Sequence, residues 1–360
     1  MEIVVVGAGF GGMHFLRSFQ KRVKRADIHY TLISFRDHFL FTPRLIEHFS
    51  TRVSRRHVVK QIAELHLPAT TFLHETVQAV DLRTRKVITA TREVSYDYLV
   101  LAPGSSTNFF NAPGAAEHSY PFKSYRSMDE LREHLAKLAA LEREITVAVI
   151  GGGYTGSELA FGLFDLLGKQ AAITIIQAAS TILPDMHALL IDFVSRRLAA
   201  KGITVLTNAQ VTKVQHHALT LKSGKTIPAD VIIWTAGITP NTIPLLPQAA
   251  LQNGKYAVNE FLQLPDHPEV FALGDCATNA TTVHHPPSAQ MSRMQGMYAA
   301  AALHALLSSK PLRPFRFQEK AFIFLLDDNC AAMILGNRLL TGTLPWLLRK
   351  IIYWQRFSEI

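Results

Sequence analysis

The chain has 360 residues, of which 48% are hydrophobic and 18% charged, so it is long and apolar enough to form two or three folded domains. No apolar run reaches the about 18–20 residues that a membrane-spanning helix needs, and two distant cysteines exclude a disulfide scaffold. The net charge of +9 suits a phosphorylated cofactor or an anionic lipid surface, but no aromatic-rich basic run and no zinc-finger spacing indicates nucleic acid or a metal.

The first predicted elements are a strand over residues 3–6, a helix over 11–19 and a strand over 29–34. A G-x-G-x-x-G motif, formed by Gly7, Gly9 and Gly12, joins the first strand to the helix. In such motifs the first glycine allows a tight turn, the second lets the backbone approach a pyrophosphate, and the third lets helix and strand pack closely. The pyrophosphate then lies at the helix N-terminus, where free N–H groups favour negative charge.

The same order recurs 144 residues later (151 minus 7), with a strand over residues 146–150, a helix over 156–167 and a strand over 172–177. The second motif is formed by Gly151, Gly153 and Gly156. One such motif is weak evidence, but two, each directly after a hydrophobic strand, predict two dinucleotides held side by side. That arrangement serves electron transfer between them.

Each motif is followed by a β-rich segment that ends on small residues. Strands are predicted over 87–91 and 93–101, before Ala102, Pro103 and Gly104, and again over 219–221 and 227–234, before Thr235, Ala236 and Gly237. A helix is predicted over 127–143, with Asp129 and Glu130 suited to its first turn. The chain therefore has the pattern of a distant internal duplication.

The remaining elements follow the second β-rich segment. Residues 271–277 predict a strand and a turn, and Pro286 and Pro287 precede a helix over 288–307 that Ser288 is suited to cap. The tail, residues 322–360, predicts two strands and then a helix over 345–357.

These motifs resemble those of the flavoproteins with two dinucleotide-binding domains, and within them the type II NADH dehydrogenase-like quinone oxidoreductases. The resemblance is carried by residues 6–12, 96–105, 151–163, 234–241, 271–277 and 286–296. It implies an α/β fold with two Rossmann-like domains and a short C-terminal α/β tail. The FAD domain would comprise residues 1–112 and 243–320, the NAD(P)H domain 113–242, and the tail 321–360.

The resemblance also implies which residues hold the cofactors, with FAD in the first motif and NADH or NADPH in the second. The candidate FAD-binding residues are Gly7, Gly9, Phe10, Gly11, Gly12, Ser34, Arg44, Ala102, Pro103, Gly104, Gly274, Asp275 and Ala289. The candidate nucleotide-binding residues are Gly151, Gly153, Tyr154, Thr155, Gly156, Glu158, Gln177, Ala236 and Gly237.

Two of these candidates also have an ordinary structural interpretation. Asp275 would accept a hydrogen bond from a ribityl hydroxyl of FAD, or else cap the turn after Gly274. Glu158 fits the family pattern, but a glutamate early in a helix is also a good partner for the helix dipole. The helix that begins at Ser288 would aim its positive N-terminus at the flavin.

The implied reaction is hydride transfer from the nicotinamide to flavin N5, followed by transfer of two electrons to a quinone-type acceptor. The family usually has an acidic ribose-binding residue about 20 residues after each glycine motif, where this chain has Ser34 and Gln177. A neutral Gln177 does not repel a 2′-phosphate, and no arginine directly follows it. We therefore expect the protein to use either NADH or NADPH.

The acceptor site is predicted on the helix over 288–307. The family pattern A-Q-x-x-x-Q keeps Gln290 but has Met294 in place of the second glutamine. These two residues are the candidate catalytic residues, and Met294 suits an apolar pocket wall as well as plain helix packing. The glutamate of the family run A-G-E-L is absent, because the chain has Phe161 and Gly162 there.

The tail helix is amphipathic. Its basic residues share one sector, Arg349, Lys350 and Arg356, and its apolar residues share the other, Leu347, Leu348, Ile351, Ile352 and Trp354. This pattern is typical of a helix in the plane of a membrane surface, and the alternative is docking onto the body or onto a second copy. Because no signal-peptide pattern opens the chain, we expect a cytoplasmic protein at the inner face of the cell membrane.

Other flavoprotein classes fit less well. Sulfide:quinone oxidoreductases need a redox-active cysteine pair, but Cys276 belongs to the Gly-Asp-Cys-Ala turn and leaves only Cys330. Disulfide reductases need a dithiol after the first helix, which this chain lacks. The open alternatives are a flavin-bearing redox sensor with little turnover and a related flavoprotein with a non-quinone acceptor.

Overall fold

The computed structural model describes residues 1–279, 285, 287–318 and 322–360. Pro286 of the predicted proline pair and the predicted domain boundary between residues 320 and 321 lie outside the described residues. The described strands are β1 (Glu2–Val6), β2 (His29–Ile33), β3 (His38–Leu40), β4 (Val59–Gln61), β5 (Thr70–Leu73), β6 (Val77–Asp81), β7 (Lys86–Thr89), β8 (Glu93–Ser95), β9 (Tyr98–Leu101), β10 (Ser105–Thr107), β11 (Tyr120–Pro121), β12 (Ile145–Ile150), β13 (Ala171–Ile176), β14 (Thr204–Leu206), β15 (Val211–Gln215), β16 (Ala218–Leu221), β17 (Thr226–Pro228), β18 (Val231–Trp234), β19 (Ile238–Pro240), β20 (Leu245–Leu246), β21 (Leu251–Gln252), β22 (Lys255–Ala257), β23 (Gln263–Leu264), β24 (His267–Ala272), β25 (Ala277–Thr278), β26 (Ile323–Asp327), β27 (Cys330–Leu335) and β28 (Arg338–Gly342). The described α-helices are α1 (Phe10–Arg22), α2 (Leu45–Phe49), α3 (Ala115–His118), α4 (Tyr125–Ala139), α5 (Tyr154–Leu167), α6 (Ala188–Ala200), α7 (Ala289–Leu307) and α8 (Thr343–Ser358).

The first sheet has the strand order β23-β24-β9-β1-β2-β5 and is parallel except for the edge strand β23. It joins strands from the beginning of the chain to β23 and β24, which come more than 150 residues later than β9 (263 minus 101 is 162). Helices α1 and α7 cross at Gly11 and Gly296, where an added Cβ on Gly296 would overlap the Gly11 carbonyl oxygen. The first turn of α1 therefore packs against the first half of α7.

The second sheet has the order β11-β18-β12-β13-β14 and is parallel throughout. Helix α5 follows β12 directly and buries Leu159, Phe161 and Leu163. Two parallel sheets, each with a strand–glycine turn–helix unit, confirm the predicted α/β fold with two Rossmann-like units.

Two of the predicted strands are each divided by a corner. Residues 93–101 form β8 and β9, because Asp97 turns back to accept a hydrogen bond from the Glu2 N–H at 2.7 Å. Residues 227–234 divide in the same way into β17 and β18, where Asp230 accepts from the Thr146 N–H at 2.8 Å. Each aspartate fixes the start of the strand that leads into a glycine turn, so the duplication extends to this detail.

Helix boundaries follow their caps. The predicted cap of α7 is confirmed, since the Ser288 hydroxyl accepts from the Met291 N–H at 3.1 Å. Helix α4 begins at Tyr125 because Ser124 caps it, so the prediction that Asp129 lies in its first turn is wrong. The tail has three antiparallel strands, β26 to β28, and not two, because the chain reverses again at Gly336 with φ of +58°.

Among the described residues, no helix combines the length and the apolar character that crossing a bilayer requires.

Candidate active site

The predicted FAD-binding residues meet at one edge of the first sheet. Strands β24, β9, β1 and β2 are neighbours and parallel, so their carboxyl ends lie side by side. The turns after them carry Asp275, Gly104, the first glycine motif and Ser34 respectively. Residues separated by up to 268 positions (275 minus 7) are thereby brought into one cleft.

The glycines of the first motif differ in what surrounds them. Gly7 has φ of +103°, and a Cβ there would overlap the carbonyl oxygen of Ala102; a Cβ on Gly12 would overlap the carbonyl oxygen of Gly7. At Gly9, by contrast, an added Cβ would meet nothing within 4 Å. Backbone N–H groups of a helix N-terminus thus face open space next to a residue without a side chain, which fits a pyrophosphate.

The second motif repeats this arrangement. Gly151 has φ of +101°, a Cβ on Gly156 would overlap the Gly151 carbonyl oxygen, and a Cβ on Gly153 would meet nothing within 4 Å. Gln177 lies at the end of β13, as predicted, and its Oε1 accepts from the Gly152 N–H at 2.9 Å. The Gln177 side-chain oxygen, which the resemblance places near the ribose of the nucleotide, is therefore hydrogen-bonded to the glycine turn in this structure.

The two clefts are connected by a short antiparallel ribbon. Strand β10 follows Gly104 and pairs with β19, which follows Gly237. Asn241, just after β19, donates from its backbone N–H to the Gly104 carbonyl at 2.9 Å. The crossing strands therefore join the turn of one cleft to the turn of the other.

The start of α7 has a free donor. Gln290 Nε2 is buried and has no hydrogen-bond partner among the described residues. Gln295, one turn further, accepts from the Gly274 N–H at 2.5 Å and so ties α7 to the Asp275 turn. Met294 packs on the core of the first sheet, which matches the helix-packing interpretation of that residue.

Asp275 is part of a chain of polar contacts that was not predicted. The Ser105 hydroxyl donates to Asp275 Oδ2, and Lys123 Nζ donates to the Ser105 hydroxyl at 2.6 Å. Desolvation lowers the pKa of Lys123 to about 8, against the opposing effect of the Asp275 charge, and Arg36 lowers it further.

A buried ionic cluster lies between α2, α5 and α8. Arg349 Nη1 is 2.9 Å from Glu47 Oε2, and its Nη2 is 3.9 Å from Glu158 Oε2. Arg44, predicted to bind FAD, is buried here as well, with its Nε 3.7 Å from Glu47 Oε2. Desolvation disfavours the charged form of Arg349, but the electrostatic effect of Tyr353, Glu158 and Glu47 is larger and raises the pKa of Arg349. Arg349 therefore stays charged.

Glu158 and Tyr154 bind the C-terminal sheet. Glu158 is wholly buried, and its Oε1 accepts from the Leu325 N–H at 2.6 Å. Burial raises the pKa of Glu158 to about 7, although Arg349 and the hydrogen bond from Leu325 oppose this shift. The Tyr154 hydroxyl donates to the Ile323 carbonyl at 2.9 Å. The interpretation of Glu158 as a simple helix-dipole partner is therefore incomplete, since it holds the tail in place.

The other predicted residues lie on the rims of the two clefts. The Ser34 hydroxyl accepts from the Arg36 N–H at 3.1 Å, and Phe10 packs edge-on to Phe39 with ring centroids 5.1 Å apart. Thr155, Ala236, Pro103 and Ala289 stand at the glycine turns or helix starts where the motifs place them.

Helix α8 turns Arg349 toward the body and most of its apolar side chains toward solvent. Most of the predicted apolar sector faces solvent, with Leu347 47%, Ile351 56% and Trp354 65% exposed, while Ile352 packs against the C-terminal sheet. Arg349 is only 1% exposed, and Arg356 is partly buried. Arg349 therefore lies against the body, where Glu47 and Glu158 are its partners, while Lys350 of the same predicted basic sector stays exposed.

Neither cysteine has the properties of a redox nucleophile. Cys276 is fully buried, and burial raises the pKa of its thiol to about 12. Cys330 is also free and lies in β27. This agrees with the exclusion of a cysteine-pair mechanism.

Comparison with known proteins identifies the family. The model of the pyridine nucleotide-disulphide oxidoreductases matches residues 1–296. The chain belongs to this family. It is 31% identical to demethylphylloquinone reductase of Synechocystis over 99% of this chain and 92% of that protein, and 26% identical to the type II NADH:quinone oxidoreductase of Haemophilus influenzae over 94% and 87%.

Solved structures show the same fold. NDH2 of Plasmodium falciparum, in complex with NADH, has a TM-score of 0.88 at 20% identity and covers 99% of this chain and 94% of that one. The sulfide:quinone oxidoreductase of Aquifex aeolicus has a TM-score of 0.83 at 20% identity, covering 99% and 92%. The chain therefore shares its architecture with both proteins.

Proposed function

We propose that this protein is an FAD-dependent NAD(P)H dehydrogenase that delivers two electrons to a quinone-type acceptor at a membrane surface. The observation that carries the proposal is the pair of glycine-lined clefts joined by the β10–β19 ribbon. In this assignment residues 1–112 and 243–320 form the FAD domain, 113–242 the NAD(P)H domain and 321–360 the tail.

The residues of the first cleft fit FAD. The N–H groups at the start of α1 would hold the pyrophosphate over Gly9, and Asp275 would accept from a ribityl hydroxyl. The N-terminus of α7 would place a positive helix end beside the isoalloxazine ring. The chemistry supplied by bound FAD is acceptance of a hydride and release of two electrons, while the chain supplies orientation and charge.

The residues of the second cleft fit NADH or NADPH. Gln177 is neutral, and an open cavity of 390 Å³ beside it is lined by Ala178, Asn208, Lys222 and Lys225 among others. The two lysines give this end of the cleft positive charge without an acidic residue in the lining. We infer that a 2′-phosphate is tolerated, and we expect both nucleotides to be used.

The names of the relatives support a quinone-type acceptor, since both are quinone reductases. Gln290 Nε2, which has no hydrogen-bond partner in the described part of the chain, would donate a hydrogen bond near the flavin edge, and Met294 would contribute apolar surface. These two residues are the proposed acceptor-side residues.

The exposed apolar face of α8 supports attachment to a membrane surface. An apolar helix face turned toward water costs free energy that a lipid interface recovers. The attachment is peripheral in this proposal.

The test is anaerobic reduction of the FAD-loaded protein by NADH and by NADPH in parallel, followed by addition of a short-chain quinone. We expect either nucleotide to bleach the flavin and the quinone to restore it with steady turnover. Bleaching by NADH alone would contradict dual nucleotide use. Bleaching by either without turnover would instead favour a flavin-bearing redox sensor.

A further inference from the structure

We propose that Lys123 is a positioning residue for FAD: through Ser105 it fixes the Asp275 carboxylate, and it thereby couples the NAD(P)H unit to the flavin site. The inference rests on the proposed function, because it assigns Asp275 to the FAD cleft. It adds a residue that no glycine or helix motif indicates.

Lys123 is anchored in the second unit. It follows β11, whose Tyr120 and Pro121 pair with Ile233 and Trp234 of β18, and it directly precedes Ser124, the cap of α4. The backbone of Lys123 is thus fixed on both sides by elements of the nucleotide-binding unit. Its ammonium nevertheless reaches the first unit.

The contact passes through the crossing ribbon. Ser105 is the first residue of β10. Its hydroxyl oxygen accepts a hydrogen bond from Lys123 Nζ at 2.6 Å, and the same hydroxyl donates a hydrogen bond to Asp275 Oδ2. A hydroxyl can accept from one group and donate to another, so Ser105 transmits the position of the lysine to the carboxylate. In the proposed FAD site, the second carboxylate oxygen, Oδ1, would accept from the ligand hydroxyl.

Charge strengthens this arrangement. Among the described residues, the charges that act on Lys123 are the Asp275 carboxylate after β24 and the Arg36 guanidinium after β2. Partial burial of the three groups makes their interaction stronger than at a free surface. Loss of the Lys123 charge would leave Asp275 oriented only by Ser105.

The experiment measures the dissociation constant of FAD from the protein by quenching of flavin fluorescence. Lys123→Met is expected to weaken FAD binding by about tenfold to a hundredfold, since a hydrogen bond to a charged group is lost. Lys123→Arg keeps the charge and is expected to recover most of the affinity. The matched control, Lys137→Met on the exposed side of α4, is expected to bind FAD like the wild type.

A double-mutant cycle separates a relay from two unrelated effects. If Lys123 acts through Ser105, the combined variant Lys123→Met/Ser105→Ala weakens FAD binding no more than the larger single change. Additive losses would overturn the relay. Equal FAD affinity of Lys123→Met and wild type would overturn the inference as a whole.

The pH dependence provides a readout that a merely structural role would not produce. Because the Lys123 pKa is lowered to about 8, FAD affinity should fall as pH rises through about 8 in the wild type but not in Lys123→Arg. Identical profiles would contradict the inference. If the wild type bound no FAD at any pH, the proposed function itself would fail; wild-type binding with unaffected variants would remove only the role of Lys123.

Discussion

Arg349 and Glu47 form an ion pair of 2.9 Å in which the side chains are 1% and 3% exposed. Removal of one partner of such a pair leaves an uncompensated buried charge. We therefore expect Arg349→Met to lower the free energy of unfolding by about 3–5 kcal/mol in urea titrations. Arg338→Met, on an exposed position of β28, serves as the control and should change it by less than about 0.5 kcal/mol.

The double variant Arg349→Met/Glu47→Gln sharpens this prediction. If the cost comes from an unpaired carboxylate, neutralising Glu47 recovers part of the loss. A midpoint for Arg349→Met equal to that of the wild type would show that the pair does not hold α8.

Substitution of two glycines of the first motif should affect FAD binding and protein stability differently. Gly9→Ala places its Cβ in open space, so the apoprotein should keep its stability while FAD binding is lost. Gly12→Ala places its Cβ on the Gly7 carbonyl, so we expect a loss of about 1–3 kcal/mol in stability even without cofactor. Thermal melts of both apoproteins, with and without added FAD, distinguish the two. Equal melting of the two apoproteins would contradict this assignment.

The Glu158 carboxyl should make stability depend on pH. Its pKa is raised from 4.5 to about 7 in the folded protein, so between these values the native state holds a proton that the unfolded chain has lost. Stability contributed by this proton is fully present below pH 4.5 and declines as pH rises toward 7. Relative to Glu158→Gln, the wild type should lose on the order of 3 kcal/mol across this window. A constant difference in stability between the two proteins at every pH would show that the pKa of Glu158 is the same in the folded and unfolded states.

The lysines beside Gln177 should influence the choice of nucleotide. Reversing both charges, with Lys222→Glu/Lys225→Glu, is expected to raise the dissociation constant of NADPH more than that of NADH, because only NADPH carries a 2′-phosphate. Lys213→Glu, on the exposed strand β15 outside the cavity lining, is the control. If the dissociation constants of NADH and NADPH rose by the same factor, the 2′-phosphate of NADPH would not lie beside these lysines.

The apolar face of α8 should determine membrane binding. Truncation at residue 345 would remove Arg349 as well, so point changes are the better test. Ile351→Ser/Trp354→Ser is expected to lower partitioning onto liposomes at least about tenfold, since two exposed apolar side chains are lost. Gln355→Ser, at an exposed polar position of the same helix, should co-float like the wild type. Undiminished co-flotation of the double variant would exclude this face.

The sequence predicted those features in which one residue type answers a local backbone requirement. The turns at Gly7 and Gly151 and the cap at Ser288 are of this kind. Lys123 is linked to Asp275 by way of the Ser105 hydroxyl, and Arg349 faces Glu158 directly. Asp275 and Glu158 each lie more than 100 positions from the cation concerned, and no local pattern in the sequence marks such pairs. Helical periodicity also showed that α8 has two faces without showing which one meets the body.

The inward direction of the Arg349 side chain has a consequence for how this protein would recognise lipid. With that cation paired inside the body, the outer surface of α8 offers mainly hydrocarbon, although Lys350 is exposed beside it. The affinity of the protein for a bilayer would then depend mainly on the apolar area that α8 buries among the acyl chains. It would depend only weakly on ionic strength or on the charge of the lipid headgroups. We therefore expect adsorption to zwitterionic bilayers as well as to anionic ones, with Lys350 and the net charge of +9 adding a modest preference for the anionic surface.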